Sequence, residues 1–296
     1  MKTLLPLLAA AAAIVMTPAV ALAQSKGKTH VRHVFVSVTD AKGAPIEGLA
    51  ASDFTVTESG QARVVSHAGP AKDPMRIALM LDTSDAAAPA LTHLRNGTLA
   101  FLDAIPPEDE VILITTGRQM RVRVPPTTDR KKLKDTAAGL FTDGAGTVLM
   151  DGLLEIDERF FKKADDRWPV YVIFTSDGTE NSTGSREKEF TKWSPLLGPR
   201  GITVHSLVYK TPKGSGMPEI IAENVTNNSG GRYDVMNTTT ALPDKMKALG
   251  EKLALDHRKM SNWYQVDIQT DGTDTAAVDV GVARDGVRLQ ISNTRR

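Results

Sequence analysis

The stretch IALMLDTSDAAAP, residues 77–89, decides the fold. Ile77 to Leu81 make an unbroken apolar run, the pattern of a strand buried on both faces. The run ends in Asp82, Thr83, Ser84 and Asp85, two carboxylates and two hydroxyls in succession. Strands buried on both faces belong to parallel sheets covered by helices, and in open α/β sheets ligands bind outside the carboxyl ends of the strands. Oxygen donors at that end of a buried strand therefore predict a binding site.

Working outward, the same pattern repeats. EVILITT, PVYVIFTS and GITVHSLVY read as further buried strands between Met75 and about Asp256. Helical spacing separates them, in Leu94, Phe101, Leu102 and Ile105, in Leu149, Leu153, Ile156 and Phe160, and in Leu242, Met246, Leu249 and Leu253. This alternation predicts an α/β, doubly wound, mostly parallel sheet. QMRVRVPP alternates and ends in two prolines, which suits an antiparallel edge strand.

Both flanks have period two. Val34, Val36 and Val38 alternate with Phe35 and Ser37, Phe54 and Val56 follow, and Ser59-Gly60 marks a hairpin. After Lys259, the runs Tyr264/Val266/Ile268, Val278/Val280/Val282 and Val287/Leu289/Ile291 are joined by TDGTDT and RDG turns. Neither flank has enough strands to close a core alone. The economical arrangement is one small antiparallel β-sandwich-like domain built from both chain ends, with the α/β domain inserted. The expected division is 1–23 signal peptide, 24–72 N-terminal β segment, 73–258 α/β domain and 259–296 C-terminal β segment.

Residues 1–23 have the order of a secretory signal: Lys2, an apolar core, then Ala21-Leu22-Ala23 before Gln24. Export to the periplasm or beyond is expected, with no membrane span after cleavage. Loss of Lys2 leaves 35 basic and 35 acidic side chains, so charge gives no case for nucleic-acid binding. The chain has no cysteine, and its fold must stand on its core without disulfides. Aromatic residues make up only 5%, too few for a surface that stacks on bases or sugars.

The strand-end rule gathers more donors. PVYVIFTS delivers Thr175, Ser176 and Asp177, and the glycine-rich TDGAGTVL places Thr147 just before a helix. Carboxylates and hydroxyls without His or Cys form a hard-oxygen set suited to Mg²⁺ or Mn²⁺. Each piece alone is also an ordinary turn or cap residue.

Together these residues resemble the von Willebrand factor type A (VWA) domain. Its metal-ion-dependent adhesion site uses an Asp-x-Ser-x-Ser motif, a threonine from a second loop and an aspartate from a third. Asp82 and Ser84 match the first motif, Thr147 the threonine, and Asp177-Gly178 the aspartate and its glycine; VTNNSGGRYDV is similar to the family segment before the last strand. The final serine of the motif is Ala86 here, which removes one direct oxygen. The resemblance implies a Rossmann-like fold and a metal site of Asp82, Ser84, Thr147 and Asp177, whose open position accepts a carboxylate from a protein partner. Asp82 is expected on a loop at the sheet's edge, so that Asp82→Ala abolishes metal binding and leaves the fold intact. The segment from Val34 to His67 is similar to the N-terminal β part of exported bacterial VWA-related proteins found in soil bacteria such as acidobacteria.

The resemblance implies a non-enzymatic binding module with no catalytic residues. The alternative is a metal-independent scaffold. A remoter one is an aspartyl-phosphate hydrolase, which needs a second Asp two residues after the nucleophile, where this chain has Ser84. The six histidines show no ligand spacing, and His205, inside an apolar strand, reads as a core residue. Gly214-Ser215-Gly216 reads as a loop and DRKK at 129–132 as a solvated helix start.

Overall fold

The two period-two flanks find each other across the inserted α/β segment. In a computed structural model, which describes residues 29–162, 167–212, 214, 216–260, 262–271 and 276–292, strands β1 (His30–Thr39), β2 (Phe54–Glu58) and β3 (Gln61–Pro70) come from the N-terminal flank. The expected signal peptide lies outside these residues. Downstream are β4 (Met75–Leu81), α1 (Leu91–Ala104), β5 (Glu110–Thr115), β6 (Arg121–Thr127), α2 (Arg130–Ala138) and α3 (Leu149–Ile156). Then come β7 (Trp168–Ser176), α4 (Glu187–Trp193), β8 (Thr203–Tyr209), α5 (Met217–Ser229), β9 (Tyr233–Met236) and α6 (Leu242–Met260). The C-terminal flank supplies β10 (Tyr264–Thr270), β11 (Val278–Val282) and β12 (Arg288–Ser292).

The flanks form one antiparallel sheet in the order β11–β2–β3–β10–β1–β12. β10 lies between β1 and β3, with Val34 opposite Val266 and Val65 opposite Ile268. Val34, Val36, Val38, Phe54, Val56, Tyr264, Val266 and Ile268 turn to a single core, as the period of two requires. β11 and β12 stand at opposite ends of the order yet touch, so the sheet curls around that core. Within it, Arg32 donates to Glu58 at 2.7 Å, with both side chains almost fully buried.

The α/β sheet runs β6–β5–β4–β7–β8–β9, parallel throughout except for the edge strand β6, antiparallel to β5 as its alternating, proline-ended sequence predicts. β4 is central and explains its own unbroken apolar run. Ile77, Leu79 and Leu81 enter the core under α1, α2 and α6, while Ala78 and Met80 enter the opposite core under α3, α4 and α5. Phe35, on the other face of β1, packs into the first of these cores and joins the two sheets. His205 is buried in β8, where its Nδ1 accepts the Arg232 N–H at 3.0 Å. Burial pushes its pKa down to about 3, helped by the Lys252 and Arg232 charges, and it is a neutral core residue.

Candidate metal centre

Three loops meet at the carboxyl ends of β4, β5 and β7. Asp82 extends β4 into the ladder, with its N–H on the Phe174 carbonyl at 2.9 Å, and the Thr116 N–H reaches back to Leu81 O at 3.0 Å. The 143–147 loop is bound to the first motif at two places. The Asp143 N–H donates to Thr83 O at 2.8 Å, and the Asp85 N–H to Ala145 O at 3.0 Å, while Asp85 Oδ2 accepts the Ala145 N–H at 2.9 Å. Thr147 bridges onward, donating its N–H to Thr179 O at 2.9 Å and accepting from the Asn181 N–H at 2.7 Å. Among the described residues, two of the three non-glycine residues with positive φ, Arg118 at 52° and Ala145 at 56°, belong to these loops. Such backbone strain concentrates at functional sites.

Asp82 is fully buried. Its Oδ1 accepts the Ser84 N–H at 2.8 Å, and its Oδ2 accepts the Ser176 N–H at 2.8 Å and the Ser176 hydroxyl at 2.6 Å. The expectation that Asp82 lies on an edge loop, dispensable to the fold, is therefore corrected. β4 is the middle of the sheet, and Asp82→Ala leaves three donors without their acceptor.

Ser84 is also buried, and its hydroxyl has no hydrogen-bond partner. Thr147 lies with its hydroxyl 3.1 Å from the Thr116 carbonyl, to which it donates, and 2.9 Å from the Thr116 hydroxyl; a lone pair remains free. Asp177 turns the other way. Its Oδ1 accepts the Thr211 N–H at 2.8 Å and the Thr211 hydroxyl at 2.7 Å, and Lys210 Nζ stands 3.6 Å from its Oδ2. A methyl at Gly214 would come within 2.2 Å of the Asp177 carboxyl carbon, so the backbone there lies directly against the carboxylate.

Among the described residues no group of three His, Cys, Asp or Glu side chains is placed to hold a metal. The donors present are of another kind: the unpartnered Ser84 hydroxyl, the Thr147 lone pair, and a buried Asp82 carboxylate whose bonds are all to neutral donors. That set fits a hard divalent cation that keeps several waters. An open groove of about 690 Å³ is lined by residues that follow or precede these donors and Asp177 in their loops, among them Asp85, Ala86, Gly146 and Gly178, together with Tyr209 and Thr211.

Residues 77–180 match the family model described as the von Willebrand factor type A domain. The chain carries a VWA domain. The crystal structure of the conserved hypothetical protein BatB from Bacteroides thetaiotaomicron is similar to it, with a TM-score of 0.50, 14% identity, and 63% of this chain and 98% of that one covered. A von Willebrand factor type A structure from Catenulispora acidiphila gives 0.51 and 13%, covering 77% of this chain; this chain spans about half of that one, 51%. No curated protein matches. Identities this low carry the fold alone. VWA domains are commonly protein-interaction modules and generally non-enzymatic.

Thr116, Lys210 and Thr211, which sequence reasoning does not single out, lie against these candidate residues, Thr116 at the Thr147 hydroxyl and Lys210 and Thr211 at the Asp177 carboxylate. They follow the ends of β5 and β8, so the strand-end rule that picked out Asp82 and Asp177 also reaches them.

Proposed function

We propose that this chain is an exported, non-enzymatic interaction module that captures a protein partner at the top of its VWA sheet. The observation that carries the reading is the buried Ser84 hydroxyl without a partner, in a loop whose next residues, Asp85 and Ala86, line an open groove. A buried hydroxyl left unpaired is costly, and an ion or a water is the partner that relieves it. Mg²⁺ or Mn²⁺ would be held directly by Ser84 and Thr147, with Asp82 and Asp177 acting through water. When bound, the ion supplies a positive centre that accepts a carboxylate from the partner. The signal-like residues 1–23 support export. The division at 24–72, 73–258 and 259–296 belongs to the same proposal, as does kinship with exported bacterial VWA-related proteins.

Hydrolase chemistry finds little support. Both oxygens of Asp82 accept hydrogen bonds, and Ser84 stands where a proton-donating carboxyl is needed. A metal-independent scaffold is favoured by a different observation, the engagement of Asp177 by Thr211 and Lys210. Capture of partners from the exported fraction separates the two readings. Capture that is lost on chelation and in Ser84→Ala supports the cation-dependent module. Capture indifferent to both supports the scaffold.

A further inference from the structure

Lys210 brings a fixed positive charge to a site that the cation reading assigns to a divalent ion. The residue follows β8 directly. Tyr209 is in register with Ser176 of β7, and the Asp177 N–H donates to Tyr209 O at 3.0 Å, so Lys210 and Asp177 leave the sheet side by side. The Lys210 N–H is fixed on Met236 O at 2.8 Å. Its ammonium then stands between two carboxylates, 3.6 Å from Asp177 Oδ2 and hydrogen-bonded to Glu219. Glu219 is in the first turn of α5 and also accepts from the Tyr233 hydroxyl at 3.3 Å, which holds the pair in place.

We propose that Lys210 is the chain's own counter-cation for Asp177 and that it sets how tightly a divalent ion binds beside Ser84. This rests on the cation reading above. Asp177 is almost entirely buried, and a buried carboxylate needs a compensating charge or full hydrogen bonding. Thr211 supplies two bonds to one oxygen, and Lys210 the only charge paired with the other among the described residues. A divalent ion drawing on Asp177 through water uses that same carboxylate and meets the ammonium as a like charge. The lysine side chain is 40% exposed, so solvent screens the repulsion; an effect of about tenfold in affinity is expected rather than exclusion.

The test uses the full mature chain and Mn²⁺ alone as probe. Calorimetric titration compares wild type, Lys210→Gln and Lys210→Arg, each with and without Ser84→Ala, and melting in chelator is measured in parallel. Lys210→Gln keeps a hydrogen-bonding side chain and removes the charge. It is expected to bind Mn²⁺ about tenfold more tightly, to melt lower than wild type in chelator, and to recover when Mn²⁺ saturates. Lys210→Arg is expected to stay near wild type in both. Ser84→Ala is expected to lose Mn²⁺ in every background. If Ser84-dependent binding is present and Lys210→Gln leaves it unchanged or weaker, the role of Lys210 is overturned while the cation reading stands. If no variant binds Mn²⁺, the cation reading falls and takes the affinity-setting role with it. An unchanged melting point of Lys210→Gln in chelator removes the counter-charge role as well.

Discussion

Ala86 is half-exposed on the groove wall, and its methyl faces Gly178 so closely that a methyl added at Gly178 would come within 2.4 Å of it. The methyl occupies the place where the family resemblance asks for a hydroxyl. Ala86→Ser adds one oxygen to a loop already bound at Asp85 to the 143–147 segment, so little ordering remains to be done. Mn²⁺ affinity is expected to rise about tenfold, equivalent to about 1.4 kcal/mol. Metal-free stability is expected to change by less than about 0.5 kcal/mol, since the position is partly open to solvent. Asp82→Ala is the opposite case: it removes the acceptor of three buried bonds and is expected to cost at least about 2 kcal/mol of stability along with metal binding. Titration calorimetry and urea unfolding of both variants check this. Metal binding unaffected by Ala86→Ser would show that the methyl's place is not in reach of the ion.

The amino ends of the same elements carry a different kind of strain. Asp109 immediately precedes β5 and is fully buried; its Oδ1 accepts the Met75 N–H at 2.7 Å, and its Oδ2 has no partner. Arg130, at the start of α2, bonds the Asp109 backbone carbonyl at 3.0 Å. Burial pushes the carboxyl pKa up to about 6, against the Met75 bond and the nearby His257 charge. A carboxyl raised in the fold binds more protons folded than unfolded, so its contribution to stability is present at about pH 4 and lost as pH rises through about 6. Asp109→Asn keeps an acceptor for Met75 and removes the buried charge. It is expected to stabilise the chain by roughly 1–2 kcal/mol at pH 7.5 and to change little at pH 4, measured by denaturant unfolding at both values. An equal gain at both pH values would point to packing instead. At this scale the long elements were legible from sequence, because burial on both faces or on one leaves an unmistakable period, as in Ile77–Leu81 or Val34–Val38. β9 is four residues long and carries no period; pairing with β8 makes it a strand. The site divides likewise. That Asp82, Ser84, Thr147 and Asp177 end up at one end of the sheet follows from which strands are buried. The direction of Asp177 does not follow, because a carboxylate at a strand end can turn to either neighbour, and the donors on the β8 side are known only once strand order is known.

The whole molecule is held together by an exchange between its ends. β10 fills the gap between β1 and β3, and without it those strands have no common neighbour. Glu58 of β2 is bonded by Arg32 of β1, Arg63 of β3 and the hydroxyl of Thr270 of β10, which binds four strands through one buried carboxylate. Burial alone would raise the Glu58 pKa; the Thr270 and Arg32 bonds and the two arginine charges outweigh it and hold the group below the usual range. A chain ending at Asp256 loses β10, β11 and β12 and the last turn of α6, including Met260 of the α/β core. What remains of the curled sheet is the β2–β3 hairpin and an unpaired β1, and a lone hairpin is marginal in water. Val34, Val36, Val38, Phe54 and Val56 then lose the strands that cover them. Residues 24–256 are therefore expected to aggregate, or to show rapid cleavage before Pro70 while the α/β segment resists longer, because most of its sheet pairs within itself. Size-exclusion chromatography and limited proteolysis against residues 24–296 decide the matter. Equal melting points and equal resistance for the two lengths would mean that the N-terminal strands are stable without the C-terminal ones, and the shared sheet would not be what holds the ends.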